Sequence, residues 1–457
     1  MSLAKLSTLL MLGLMLIAPA HSATDPYQPQ PYVHIQHPGW TRNATIYQIN
    51  TRQFTPEGSF SAAEAQLPRL KELGVGILWL MPIHPIGEVH RKGSLGSPYA
   101  VRDFRAVNPE LGTAGDFHHF VQRAHALGMH VILDWVGDHT AWDNVLVQQH
   151  PDWYARDEHG RFHPTPWYDW DDIIDLDYDK PALRRYMTES LLYWVREFGV
   201  DGYRVDAAGL MPLDFWENAT RELRKVKPVF MLAEWEGRDM HARAFDASYA
   251  WSWWDELKRI AEGHADATAL YPYYAWNRKY YPREAYRMLY TTNHDKNAWE
   301  GTEYEIFGAG ADCIAVLSFI SEGMPMIYNG QEAGNHRRLA FFERDPIEWK
   351  KDAPQAQLYG RLIALKKQNQ ALWNGQYGGV MEPVPNDAPQ QILSFVRAQG
   401  DDKVMGVFNL SGQTREVRLL GPRAIGRFHD FDSGAAVNLA EGQALTLPAW
   451  GWRVFVQ

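Results

Sequence analysis

The sequence predicts an α/β chain: a (β/α)8 barrel with a small insertion after its third strand, closed by a C-terminal antiparallel β-sandwich. Three observations predict it. From residue 44 to about 370, short apolar runs alternate with amphipathic stretches; that alternation breaks once, over about 140–178; and after about 374 the helical period stops. Eight runs fit strands, over 44–50, 75–80, 130–133, 202–205, 229–233, 250–253, 287–292 and 325–328. They are short and apolar on both faces, as strands buried in a parallel sheet must be. Between them, Phe117, Phe120, Val121, Ala124 and Leu127 recur at helical spacing, as do Leu183, Met187, Leu191, Trp194, Val195 and Phe198. Pro181 stands at the start of the second helix, where its missing N–H costs nothing. An open doubly wound sheet is disfavoured because no Gly-rich dinucleotide turn follows a strand.

The insertion is marked by Trp142, His150, Pro151, Trp153, Pro164, Pro166, Trp167 and Trp170, without a strand–helix unit of its own. Beyond 374, runs such as 392–396, 404–408 and 452–456 alternate between turn residues and read as antiparallel strands. The predicted division is therefore a leader over 1–22, a barrel over 23–373 and a β-sandwich over 374–457. The leader rests on Lys5, the apolar run Leu6 to Ile17 and the small-residue stretch Ala18 to Ala23, with cleavage expected after Ala20 or Ser22. It implies export, to a periplasm or beyond the cell, with no membrane attachment once removed.

Composition narrows the function. The 457 residues carry 45 Lys and Arg against 55 Asp and Glu, a net charge of −10, which argues against nucleic acid as a partner. One cysteine, Cys313, excludes an internal disulfide and a Cys-rich zinc site. There is no H-E-x-x-H helix and no G-x-S-x-G elbow.

The acids fall at strand ends. Asp134, Asp206, Glu234 and Asp295 end the third, fourth, fifth and seventh predicted strands, which a parallel barrel gathers around one mouth. A strand-end acid often caps the next helix, but four at one rim, each beside an Arg, His or aromatic, strain that account. Arg204 and Asp206, two apart on a strand, point the same way, and the guanidinium should keep Asp206 ionised. Glu234 follows an apolar run and precedes Trp235, a setting that raises a carboxyl pKa. One anionic and one protonated carboxyl is the pair that cleaves a glycosidic bond. His139 and His294 flank the same mouth.

Four stretches carry a family resemblance: Asp134-Trp135-Val136-Gly137-Asp138-His139, Gly202-Tyr203-Arg204-Val205-Asp206, Met231-Leu232-Ala233-Glu234 and Asn293-His294-Asp295. In order and spacing the chain resembles glycoside hydrolase family 13, the α-amylase family. Ile46-Tyr47-Gln48-Ile49 with Arg52, Pro98-Tyr99, Asp175-Leu176-Asp177 and Gly323 to Gly330 are weaker echoes. The resemblance implies a retaining, double-displacement enzyme acting on the α-1,4 bonds of starch, glycogen or maltooligosaccharides. It implies Asp206 as nucleophile, Glu234 as acid/base and Asp295 as the carboxylate that grips sugar hydroxyls. Arg204, His139 and His294 would orient groups around the cleaved sugar, Tyr99 would stack on it, and Asp134 would shape the site. The alternatives are a transglycosylase, an α-glucosidase or a cyclodextrin-cleaving enzyme of the same family, and, in another class, a non-catalytic carbohydrate-binding protein. The chain is expected to act as a monomer and to need no cofactor for its chemistry.

The pattern departs from the family at Asp138, where Asn is usual and where many relatives bind calcium; Asp is also an oxygen ligand, so a structural Ca2+ at Asp138 is admissible. Ala207-Ala208-Gly209-Leu210 lack the Lys and His that often follow the nucleophile. Asp171, Asp172, Asp175, Asp177 and Asp179 form an acidic loop that could hold a cation or simply face solvent.

Overall fold

The computed structural model describes residues 25, 27–350 and 352–457. The leader over 1–22 lies outside the described residues. Val33–Gln457 form one compact unit, separate from the unit that ends at Tyr32, and the larger unit holds both the barrel and the C-terminal sheets. Among the described residues no helix is long and apolar enough to cross a membrane.

Eight parallel strands close into a barrel: β1 (Ile46–Ile49), β2 (Ile77–Leu80), β3 (His130–Trp135), and, after the insertion strands β4 (His139–Ala141) and β5 (Ile173–Asp175), β6 (Gly202–Val205), β7 (Phe230–Ala233), β8 (Ala247–Tyr249), β9 (Tyr286–Leu289) and β10 (Met324–Tyr328). Each barrel strand pairs with its sequence neighbour, skipping the insertion, and β10 closes on β1 through Ile46 opposite Met326. Seven of the eight are buried at every residue, which is why they read as unbroken apolar runs.

The helices form where the periodicity placed them. Ala114–Ala126 starts at a Thr113/Asp116 capping box and buries Phe117, Phe120, Val121 and Ala124. Pro181–Phe198 buries Leu183, Met187, Leu191, Trp194, Val195 and Phe198, and ends at left-handed Gly199.

One strand expectation is corrected. Residues 250–253 are not the sixth barrel strand; β8 lies just before them, and Trp251–Ala261 is a helix. The tryptophans suggested a strand by composition, yet Trp253, Trp254, Leu257 and Ile260, the residues this helix buries, lie at helical spacing. The true strand was hidden by Ser248, whose hydroxyl is buried and bonded to His241 at 2.8 Å. β9 also ends at Leu289, so Asp295 sits six residues past the strand rather than at its end.

The insertion is a two-stranded antiparallel ribbon, His139 opposite Asp175 and Ala141 opposite Ile173, with the excursion between 142 and 172. It therefore stands on the C-terminal rim of β3, beside the site.

The C-terminal region has two antiparallel sheets. One runs β11 (Met381–Pro383), β12 (Ile392–Gln399), β13 (Asp402–Asn409), β18 (Trp452–Val456), β15 (Gly426–Asp430), β16 (Ala436–Leu439); the other pairs β14 (Arg415–Arg418) with β17 (Ala444–Leu447). Val396, Met405, Val407, Val417, Leu447 and Phe455 share the apolar cluster between them. Arg397 in β12, fully buried, ties this sheet to the barrel by donating to the carbonyls of Ser321 (2.6 Å), Gly379 (2.9 Å) and Trp373 (3.0 Å). A buried guanidinium is tolerable only when its donors are spent in this way.

Candidate active site

The site begins with a glycine. Gly202 opens β6 with φ of +147°, and a Cβ there would lie 1.8 Å from the carbonyl oxygen of Phe230. Only glycine lets β6 approach β7 this closely, and these are the strands that deliver Arg204, Asp206 and Glu234 side by side. The N–H of Asp206 donates to the Trp135 carbonyl at 2.9 Å and that of Glu234 to the Val205 carbonyl at 3.0 Å. Each acid is thus fixed by the neighbouring strand.

Arg204 is the hub. Its side chain is fully buried, with one terminal nitrogen 2.8 Å from both Asp134 Oδ1 and Asp206 Oδ1 and the other 2.7 Å from Glu234 Oε1; its Nε donates to the Tyr249 hydroxyl at 3.2 Å. Asp206 and Glu234 keep 14% and 16% of their side chains exposed, and both line a cavity of about 640 Å3 at the barrel mouth. Asp134 is fully buried: its other oxygen accepts from Trp79 Nε1 and the Tyr99 hydroxyl, both at 3.0 Å. It anchors Arg204 and stays out of the cavity.

The electrostatics differ from the sequence expectation in one respect. Burial raises the Asp206 carboxyl to about 7, although Arg204 pulls it down. The guanidinium charge is divided among three carboxyls and does not hold Asp206 far below its ordinary range. Burial pushes Glu234 higher, to about 8, again opposed by Arg204 and reinforced by repulsion from Asp206 and Asp295. The two share one cation and titrate as a pair. The N–H of Ala207 donates to Glu234 Oε2 at 2.8 Å, a contact made possible by the left-handed backbone of Ala207 (φ 42°). Gly209 follows because a Cβ there would lie 2.1 Å from the Trp235 ring.

Asp295, 42% exposed, faces the same cavity with His294 Nε2 3.2 Å away. Gln48 Nε2 lies 2.7 Å from His294 Nδ1, and the Tyr99 hydroxyl 2.6 Å from His294 Nε2. Because the Tyr99 hydroxyl donates to Asp134, it accepts from His294 Nε2–H, and His294 Nδ1 accepts from Gln48. Burial pulls His294 down to about 4, so this neutral tautomer holds at working pH. Tyr99 is half-buried and stacked on His294 with ring centroids 5.5 Å apart. It lines the cavity.

His139 takes the opposite charge. Burial alone would lower it, but Asp138, whose Oδ1 lies 3.0 Å from Nδ1, together with Asp206 and Asp175 outweighs burial and raises the imidazole to about 9. Its Nε2 lies 3.2 Å from the Tyr99 carbonyl and donates to it.

A calcium ion at Asp138 would meet a mixed donor set, although both Asp138 oxygens are buried without a hydrogen-bond partner among the described residues. The metal-binding side chains beside Asp138 are His139 and Asp206, a nitrogen base and one carboxylate, where calcium takes six to eight oxygens. The cation beside Asp138 is the protonated His139 itself. In the acidic loop, Lys92 fills the corresponding place: its Nζ lies 3.1 Å from Asp171 and 3.5 Å from Asp172 and donates to the Asp169 carbonyl at 2.6 Å.

Nine predicted residues (Tyr99, Asp134, Asp138, His139, Arg204, Asp206, Glu234, His294 and Asp295) form one connected set, Asp295 joining it through His294 Nε2 at 3.2 Å. Sequence reasoning missed the walls. Trp170 and Lys92 form one side; Trp299, Phe341 and Phe342 form another. The adjacent Phe341-Phe342 stand in a charged stretch from Arg337 to Arg344, a signal of aromatics placed at a surface for a purpose.

A closed parallel barrel whose C-terminal mouth sets three carboxyls, two histidines and an aromatic rim around one cavity belongs to the class of barrels built for carboxylate chemistry on small molecules. A profile of the α-amylase catalytic domain matches residues 48–369. The chain is 30% identical to a maltogenic α-amylase of Thermotoga neapolitana, whose solved structure superposes with a TM-score of 0.83 over 91% of this chain and 98% of that one. It is 26% identical over 401 residues to an α-amylase of Haloarcula japonica, covering 84% of this chain and 57% of the relative. It is also 32% identical over 232 residues to an α-1,4-glucan:maltose-1-phosphate maltosyltransferase of Myxococcus xanthus, covering 45% of this chain and 35% of the relative. The chain thus spans about half the length of the first curated relative and about a third of the second. It belongs to the α-amylase family, glycoside hydrolase family 13.

Proposed function

We propose that this protein hydrolyses α-1,4-glucosidic bonds of starch, glycogen or maltooligosaccharides by double displacement with retention. The observation that carries the reading is that Asp206 and Glu234 sit on the two terminal nitrogens of one guanidinium and face one cavity. That sharing is compatible with the close spacing, about 5 to 5.5 Å, of a retaining pair, and would leave an inverting enzyme little room for its water.

Asp206 attacks the anomeric carbon while protonated Glu234 passes its proton to the departing glycosidic oxygen. The glycosyl ester on Asp206 is then opened by water, whose proton returns to Glu234. Charge moves from Asp206 towards the leaving oxygen in the first half and back in the second. Arg204 contacts both carboxyls and can follow that charge without moving. Asp295 accepts from sugar hydroxyls, and the positive charge of His139 favours the ionised form of Asp206.

Transfer through a phosphorylated sugar is disfavoured by the cavity's charge. Lys92 is the one Lys or Arg among its described lining residues, and Asp171 and Asp172 already occupy it. A phosphate needs free cations. The test is release of reducing ends from soluble starch by wild type and Asp206→Asn, with the product profile from maltoheptaose. Loss of release in the variant, with products shorter than the substrate, supports the reading. Equal rates would remove the catalytic assignment, and products longer than maltoheptaose would replace hydrolysis by transglycosylation.

A further inference from the structure

The cavity wall continues outward. Trp170, half-buried, lines the cavity on the insertion side. Tyr168 stacks on it with ring centroids 4.1 Å apart and an interplanar angle of 21°, and is 52% exposed. The preceding residue, Trp167, is fully exposed. Three aromatics in four positions thus run from the cavity to open solvent, in a loop that otherwise carries Asp169, Asp171 and Asp172.

Nothing in folding calls for this. An indole left wholly in water contributes no burial, and the Trp167 backbone is left-handed, with φ of 72°. That conformation costs a bulky residue about 1–2 kcal/mol, so the loop is strained to present a ring that packs on nothing. The loop is nonetheless fixed at its base: Lys92 holds the Asp169 carbonyl, Trp142 Nε1 donates to the Asp171 carbonyl at 3.0 Å, and Thr165 bonds Asp175. On the other side of the mouth Trp299, 56% exposed, packs against Phe341 and Phe342 with ring centroids 5.2 and 5.7 Å apart.

We propose that Trp167 and Tyr168 form an outer glucan-binding platform that extends the cleft, engaging sugar units of an α-glucan chain that reach beyond the cavity. The inference rests on the proposed function, because continuity with a cavity that binds glucan is what assigns the occupant. Aromatic rings offer pyranose units flat apolar faces, while flanking acids and carbonyls accept from the equatorial hydroxyls. The platform touches sugars remote from the cleaved bond, so it selects for chain length and not for the chemistry itself.

The test uses the full chain in a Glu234→Gln background, which slows turnover, and compares Trp167→Ala and Trp167→Phe for binding of long dextrin and of maltotriose by affinity electrophoresis and calorimetry. The expected result is a several-fold loss of dextrin affinity in Trp167→Ala, recovery in Trp167→Phe, and a smaller change for maltotriose. In the active enzyme the long-to-short ratio of kcat/KM should fall by a similar factor. Equal dextrin binding with and without Trp167, or equal losses for both ligands, overturns the platform alone. Absence of glucan binding in every variant overturns the proposed function and the platform with it. A glucan-free oligomer that Trp167→Ala dissociates assigns the face to a second copy of the chain and also overturns the proposal.

Discussion

Replacing Glu234 with Gln separates acid catalysis from everything else in the site. The amide keeps the shape and can still take the Ala207 N–H, but it has no proton to give and no charge. With a natural glucan the leaving alcohol needs that proton, so the first step should slow by about 10²–10⁴, roughly 3–5 kcal/mol of barrier. An aryl glycoside with a nitrophenolate leaving group needs no proton, and its first step should be largely spared. The second step still lacks a base, so the aryl substrate should give a burst followed by slow turnover. Azide, a nucleophile that needs no base, should relieve the slow phase. The pH profile adds a sign. In wild type the active form has Glu234 protonated and Asp206 ionised, with burial raising both carboxyls, Glu234 the further, to about 8. Glu234→Gln should lose the alkaline limb. The acid limb should stay in place, because Glu234 is already protonated and uncharged over that range. The assay is stopped-flow release of nitrophenol beside reducing-sugar release from maltoheptaose. Equal losses on both substrates, with an unchanged profile, would refute the acid assignment.

Three further outcomes rest on the same contacts. Arg204→Met should abolish activity and cost about 3–5 kcal/mol in denaturant unfolding, because it leaves buried carboxyls without their cation; part of the stability should return at low pH, where those carboxyls are protonated. Asp138→Asn removes the largest of the charges that hold His139 up at about 9, while burial persists, so the imidazole should titrate well below 9 by NMR; an unchanged value would show that Asp138 is not the cause. Asp201 holds its carboxyl well below the ordinary range through His125 at 2.7 Å and Lys227 at 2.7 Å. That stability is present above the unfolded carboxyl value and is lost as pH falls below about 4, so Asp201→Asn should lower Tm at pH 6 and flatten its acid decline.

Much of this fold was legible in the sequence because the barrel buries its strands completely and its helices on one face, the two patterns that periodicity reads best. The acids stood out because strand ends are where a parallel barrel puts its chemistry. The features that escaped have equally physical causes. β8 looked polar because Ser248 is bonded inside the barrel, and Trp251 to Trp254 looked β-like although their spacing is helical. The anion expected at Asp206 ignored that one guanidinium serves three carboxyls, a fact of three dimensions. The Ala207 N–H contact depends on a left-handed alanine that no local pattern marks. Trp170, Trp299 and Phe341 come from three separate loops, and only the folded rim shows them facing one space.

That Asp206 takes the sugar while Glu234 moves the proton is tested most directly by trapping the intermediate. Glu234→Gln is incubated with a nitrophenyl maltooligoside, quenched in acid and mapped peptide by peptide by mass spectrometry. The expected result is one added glycosyl group, on the peptide carrying Asp206 and absent from Asp206→Asn. Labelling on another carboxyl, or steady turnover of that substrate with no adduct on any peptide, would contradict both roles.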